Sequence, residues 1–204
     1  MKKYLISLFL LALIFPSGYA NTAKEREMSL FLTLGQSEPL GDFKDDVKSG
    51  FNWGGGIEFR LSPDWSVGTS ISKVDLKHKK IFYDAWSFSY TYTDWGITRL
   101  SFWGKYFFIK KSFSPFLKFG LGVYFMEHRT TSIYKEELHY RGQEDALSIV
   151  PGAGFEYRKK RFRFFLEADY NIVPTEASHG DVRRIRGTQF FDFRSGVGLS
   201  ILRF

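Results

Sequence analysis

The side chains best placed to do chemistry in this sequence are charged groups set at alternate positions among small and apolar residues. Arg60, Arg99, Lys105, Lys118, Arg163 and Arg194 supply six cations, and Glu58, Glu156, Glu167, Asp169 and Asp192 supply five anions. Successive side chains of an extended chain point to opposite faces. Each of these groups therefore falls on the face opposite its apolar neighbours. Ionised groups confined together must pair or stay hydrated, because burying one alone is costly. Such a set can fill an interior as a salt-bridge plug or line a gated polar path. Near-balance of sign favours the plug, and nothing in the sequence requires the path.

Other chemistry finds less support. The chain has no cysteine, which removes thiolate nucleophiles, thiolate metal sites and disulfides. Of the four histidines, His78, His139 and His179 fall in polar stretches and His128 falls at a strand end. No two sit at metal-ligand spacing, so neither a metal nor a cofactor is expected. Ser178 and His179 are adjacent, which on a strand would set them on opposite faces. Basic runs occur at Lys77-His78-Lys79-Lys80, Lys110-Lys111, Arg158-Lys159-Lys160-Arg161 and Arg183-Arg184, within a formal charge of +7. Nucleic acid is the first reading of such runs, and the export signal described next argues against it.

Lys2 and Lys3 precede an almost wholly apolar run from Tyr4 to Phe15, and Gly18 and Ala20 place small residues where signal peptidase reads. Residues 1–20 form a secretory signal peptide on this pattern. The apolar run is only about a dozen residues, short of the roughly 20 that a spanning helix needs. No cysteine follows, so no lipoprotein anchor is expected. Residues 21–204 then form one domain.

That domain alternates with period two. Phe51, Trp53, Ile57 and Phe59 interleave with Asn52, Gly54, Gly56, Glu58 and Arg60. Leu117, Phe119, Leu121 and Val123 interleave with Lys118, Gly120 and Gly122. Leu147, Ile149, Pro151, Ala153, Phe155 and Tyr157 oppose Ser148, Gly152, Gly154 and Glu156. Phe162, Phe164, Leu166, Ala168 and Tyr170 face away from Arg163, Glu167 and Asp169, and Phe191, Phe193, Val197 and Leu199 face away from Asp192, Arg194, Gly196 and Gly198. Weaker copies start at Leu30, Trp65 and Arg99. This makes about eight strands of roughly eight to twelve residues, the length that crosses a bilayer at barrel tilt.

The connections alternate as well. Ser62-Pro63-Asp64, 109–114 and 158–161 are short, whereas 36–49, 76–93, 127–145 and 171–188 are long and polar. An outer-membrane barrel has short periplasmic turns and long external loops in this order. A soluble lipocalin-like barrel or a sandwich would also alternate, with its apolar face inside. Here the apolar face carries large Phe, Leu, Ile and Tyr residues, more than a narrow eight-stranded interior could hold, while the other face is rich in glycine. Aromatics beside the turns, among them Trp65, Phe108, Phe113, Tyr157 and Phe162, suit an interfacial girdle. The fold class read here is all-β: an eight-stranded antiparallel up-and-down transmembrane β-barrel.

The chain ends Gly196-Val197-Gly198-Leu199-Ser200-Ile201-Leu202-Arg203-Phe204. With the signal peptide and the Pro39-Leu40-Gly41-Asp42-Phe43 loop, it resembles the opacity-protein-like family of small outer-membrane β-barrels over nearly all of residues 21–204. The resemblance implies insertion by the outer-membrane assembly machinery, which reads a final strand ending in an aromatic, here Phe204. One departure stands out: Val197, Leu199 and Ile201 are out of phase with Leu202 and Phe204. A β-bulge near Ile201-Leu202 would repair the phase. Pro151 inside a strand is a second irregularity.

The reading is a non-enzymatic integral protein of the cell outer membrane, of Gram-negative type, structural or adhesin-like in role. Its partners are outer-membrane lipid, lipopolysaccharide phosphates beside the external basic runs, and a surface ligand met by the external loops. The aromatic-rich segment Phe82 to Tyr90 could serve as that binding surface or extend the barrel as a hairpin. The alternatives are a narrow channel, or a lipid-modifying enzyme of the kind that deacylates lipid A. The enzyme would need a Ser–His pair with an orienting carboxylate, and no such pairing is recognisable.

Overall fold

A computed structural model describes residues 26–41, 43–79, 81–84, 89–109, 112–134, 136–179 and 182–203. The signal peptide read over residues 1–20 and the terminal Phe204 lie outside the described residues. The long strands are β1 (Glu27–Leu40), β2 (Gly50–Arg60), β3 (Trp65–Leu76), β5 (Ser89–Phe107), β6 (Phe113–Tyr134), β7 (Glu136–Lys159), β8 (Phe162–His179) and β9 (Val182–Arg203). A four-residue helix α1 (Phe43–Asp46) and a three-residue strand β4 (Phe82–Asp84) sit in the connections. Each long strand pairs antiparallel with the next, β3 pairs directly with β5, and β1 pairs with β9. These eight strands close on themselves. Closure leaves no open sheet edge, which is the condition for a sheet to stand in lipid.

Side-chain orientation follows the period of two. Leu32, Ile71, Phe119, Leu147 and Leu166 all point outward and are 60% or more exposed. An apolar belt of this size on a water-soluble protein would drive association; around a barrel it meets lipid. Trp65, Tyr106, Phe108, Phe113, Tyr157 and Phe162 rim the short-turn end and are exposed. At the opposite end the outward positions turn polar at Gln36, Lys73, Asp75, Glu127 and Asp145. No described helix is long and apolar enough to cross a membrane.

The turns at the short end are tight. Ser62 Oγ accepts the amides of Trp65 at 3.1 Å and Asp64 at 3.3 Å. Lys160 and Arg161 alone join β7 to β8, with Lys160 at φ 57°.

At the other end the structure departs from the sequence reading. Residues 127–145 and 171–188 are largely strand: β6 and β7 stay paired up to Tyr134↔Glu136, and β8 and β9 up to His179↔Val182, with irregularities after Val173 and Ala177. The buried positions described there are mainly polar, among them His128, Thr131, Asn171 and Thr188, so no hydrophobic alternation marks these strands in the sequence. The Phe82 to Tyr90 segment is also a hairpin, paired Phe82↔Thr91 and Tyr83↔Tyr90. In the first connection Gly41, at φ +57°, turns the chain from β1 into α1, and Val47 bridges to His78.

Both irregularities of the sequence find a place. Met28 pairs with Leu202 and Ser29 with Ser200, so Ile201 is the extra residue of a β-bulge, and Ile201 and Leu202 are both exposed. Pro151 pairs with Phe119 on its β6 side, while the β7–β8 ladder passes from Ile149↔Ile172 to Gly152↔Asp169 without pairs between. A residue with no N–H cannot complete that ladder.

Candidate functional site: the barrel interior

All eleven charged residues named from the sequence are at most 8% exposed and lie within the barrel. Strand register explains their crowding. Lys105 faces Lys118 across β5–β6, Arg158 faces Arg163 across β7–β8, and Asp169 faces Asp192 across β8–β9. Like charges directly opposite on neighbouring strands repel. Each of these pairs is relieved by a group reaching in from elsewhere on the barrel wall.

Toward the short-turn end, Glu156 receives Arg60 at 3.2 Å, Arg163 at 3.5 Å, and Arg158. Arg163 also pairs with Glu58 at 2.6 Å. Arg60 is anchored further by the carbonyls of Pro63 at 2.7 Å and Ser62 at 3.3 Å, and its guanidinium lies 3.7 Å above the Phe107 ring. Mid-barrel, Glu167 lies 3.5 Å from Lys105, 3.2 Å from Lys118 and 2.8 Å from Arg194. Asp169 takes Lys118 at 2.8 Å and also Arg194. Lys105 reaches Glu58 at 3.5 Å, so the lower and middle groups form one continuous network.

Aromatic rings fill the space around these charges. Phe31, Trp103 and Phe165 form a buried cluster, with ring centroids 6.0 Å (Phe31–Trp103) and 5.8 Å (Phe31–Phe165) apart. The Lys105 ammonium sits 4.5–4.8 Å from the rings of Phe116, Trp103 and Phe165, a cation–π enclosure. Room for the rings comes from glycine: a Cβ added at Gly196 would collide with the Phe165 ring, and one at Gly68 with Trp103.

A separate group lies farther from the short turns. Arg99 Nη1 donates to Asp192 at 2.5 Å, to Asn171 Oδ1 at 2.7 Å and to Tyr124 Oη at 3.3 Å, and its Nε donates to Ser72 at 3.0 Å. Asp192 also accepts Ser37 Oγ–H and Asn52 Nδ2 at 3.2 Å. Beyond it an apolar layer closes the mouth. Phe43 and Val47, from α1 and the residue after it, join Val74, Trp95, Met126 and Phe190 in one buried cluster. Phe43 meets Trp95 edge to face at 5.7 Å.

Sequence reasoning misses three kinds of contributor. Ser37, Asn52, Ser72 and Asn171 are neutral and carry no charge pattern. Arg158 belongs by sequence to a basic turn, yet it reaches Glu156. Phe43 and Val47 lie in a polar stretch with no periodicity. Three of the four histidines are also placed differently, inside strands. His128 is inside β6, buried, with its ring 5.2 Å from Trp95. His78 Nδ1 is 2.9 Å from Asp94, which also accepts the His78 amide at 2.9 Å and Lys77 Nζ at 3.1 Å. Burial alone would raise the Asp94 carboxyl; the hydrogen bonds from His78 and Lys77 outweigh it and hold the group below its ordinary value. His139 and His179 lie on β7 and β8. Among the described residues no cluster of acidic and histidine side chains could hold a metal ion.

An up-and-down barrel of eight strands, apolar outside and charge-filled inside, defines an integral outer-membrane β-barrel protein. The chain belongs to the outer membrane protein beta-barrel domain family, which it matches over residues 7–191. The fold is shared with the Neisserial surface protein A, 12% identical with a TM-score of 0.59 over 88% of this chain and 100% of that one. It is shared too with a major outer membrane protein from Thermus thermophilus, 12% identical with a TM-score of 0.54 over 89% of this chain and 100% of that one. No curated protein sequence matches the chain.

Proposed function

We propose that this protein is a non-conducting, non-enzymatic barrel whose role is structural and adhesive, with the external hairpins carrying any recognition. The observation that supports this most is the filled lumen: a paired charge network from Arg60 to Asp169, the Arg99–Asp192 group beyond it, and an apolar layer sealed by Phe43 and Val47. An eight-stranded barrel encloses little more than its own side chains. Paired charges in that setting do not open a water path without stranding a partner.

In this reading the protein is exported on its signal peptide and inserted by the assembly machinery through a final strand ending at Phe204. Lipopolysaccharide phosphates meet the external lysines around Lys77 and Lys79. The β4–β5 hairpin presents Tyr83 and Tyr90, both exposed with rings 5.0 Å apart, as part of a contact surface for a surface ligand. The His78–Asp94 contact ties a loop, since Asp94 also holds the His78 amide and Lys77.

The test is conductance in planar bilayers. Wild-type protein is expected to show no steady unitary current. The Glu58→Gln/Glu156→Gln variant is expected to leak, because Arg60 and Arg163 lose their carboxylates. A large steady current from the wild-type monomer would move the channel reading to first place. A mass shift of lipid A in cells expressing the protein would move the enzyme reading there.

A further inference from the structure

The periplasmic end of the β7–β8 hairpin gathers positive charge beside a lipid-facing groove. Lys159 and Phe162 pair across the hairpin and are both exposed, and the two connecting residues, Lys160 and Arg161, are exposed cations. Arg203 joins them: its Nη2 donates to the Lys160 carbonyl at 2.7 Å. The acid of this rim is Glu27, 3.8 Å from Arg203 Nε and 4.0 Å from Arg158. Arg158 is committed to Glu156 as well, so among the described residues Lys159, Lys160, Arg161 and Arg203 meet the single carboxylate of Glu27, which leaves the rim cationic. Lys160 also holds a left-handed φ of 57°, where glycine or asparagine is the usual residue. A cation sits at a position where glycine would be conformationally easier.

Directly above lies an apolar groove on the outer face, lined by Phe162 and Phe164 on one side, Leu30 and Val197 between, and Ile57 and Ile71 on the other. Gly55 contributes no side chain there, which deepens it. The bulge adds Ile201 and Leu202 to the lipid face at the level of the turn. Acyl chains in the groove and a phosphate at the turn are the two ends of one amphiphile. A zwitterionic headgroup would bring its own ammonium against the rim, whereas a net anion would not.

We propose that the Lys159-Lys160-Arg161 turn, with Arg203, is a binding site for an anionic glycerophospholipid of the periplasmic leaflet, its phosphate held by these cations and an acyl chain laid in the groove above Phe162. Lipid A carries similar phosphates but occupies the opposite leaflet, facing the external lysines. The site therefore selects by headgroup charge within the inner leaflet.

The full-length barrel in non-ionic detergent, offered phosphatidylglycerol and phosphatidylethanolamine of equal chain length, is read by native mass spectrometry. The wild type is expected to retain one phosphatidylglycerol in preference. Lys160→Gly/Arg161→Gln/Arg203→Gln is expected to lose roughly tenfold or more of that preference, since each cation near a charged headgroup contributes on the order of a fewfold to tenfold in affinity. Lys73→Gln, at the far end, should leave it unchanged. Should the triple variant fail to fold, Lys160→Gly alone relieves the backbone and removes one cation; a severalfold loss is expected from it. Equal retention of both lipids by the wild type, or an unchanged preference in the rim variants, would each overturn the site.

Discussion

Arg99 and Asp192 form an ion pair that no second pair duplicates among the described residues, which makes it the sharpest test of interior energetics. Arg99→Met keeps much of the side-chain length and removes the charge. Asp192 would then face Ser37 and Asn52, both neutral, and Arg194 would stay committed to Glu167 and Asp169. Breaking a buried pair from one side costs about 3–5 kcal/mol, because the remaining charge is stranded. Asp192→Asn should cost a similar amount by stranding Arg99. The double variant removes both charges and should recover much of the loss, giving a coupling energy of about 3 kcal/mol in a double-mutant cycle. Glu167→Gln is the contrast. Lys118 and Arg194 keep Asp169, and Lys105 keeps Glu58, so its cost should be nearer about 1–3 kcal/mol. Reversible denaturant unfolding in lipid vesicles, followed by tryptophan fluorescence, measures all four variants. A double variant as unstable as the sum of its singles, or Glu167→Gln costing more than Arg99→Met, would refute the assignment of partners.

Protease applied to intact cells should cut at the tips of the β6–β7 or β4–β5 hairpins and spare Ser62 to Asp64; fragments confined to the short turns would invert the topology. Asp94 titrates below its ordinary value in the folded state, so its contribution to holding the His78 loop is complete above about pH 4 and is lost as pH falls through the lowered value. Asp94→Asn should abolish that acid-dependent change in the His78 amide NMR signal, and an unchanged titration would show that another group is responsible. Deleting Phe204 should reduce outer-membrane yield while leaving secretion intact. Deleting Ile201 removes the bulge but keeps Met28 opposite Leu202, so that protein should still assemble; loss of assembly on Ile201 deletion with normal assembly on Phe204 deletion would reverse both roles.

The membrane-spanning part of this barrel is legible because its signal is local. Side chains on a strand alternate with a period of two, so Phe162, Phe164 and Leu166 against Arg163, Phe165 and Glu167 announce both a strand and its two faces without reference to any other strand. The break of phase at Ile201-Leu202 is legible for the same reason, and it marks the bulge. Above the membrane the signal disappears. Residues 127–134 and 136–145 continue the register of the strands below, yet their buried positions include the polar His128 and Thr131, so no apolar face marks them.

Pairing across the lumen belongs to the closed barrel alone. Arg60 meets Glu156 and Arg99 meets Asp192 only because closure brings walls together that lie 96 and 93 residues apart in the chain. A sequence with six cations and five anions on one face permits many pairings, and depth and strand order choose among them. Phe43 and Val47 make the same point for the apolar seal. Two hydrophobic residues in a polar stretch have no period to read, and they become a lid only because α1 is carried over a mouth ringed by Val74, Trp95, Met126 and Phe190. Alternation along one strand is written in that strand's own residues, because the two faces of a strand differ wherever they meet different surroundings. Which side chains meet across the interior depends on strand order and depth, and barrel closure sets both.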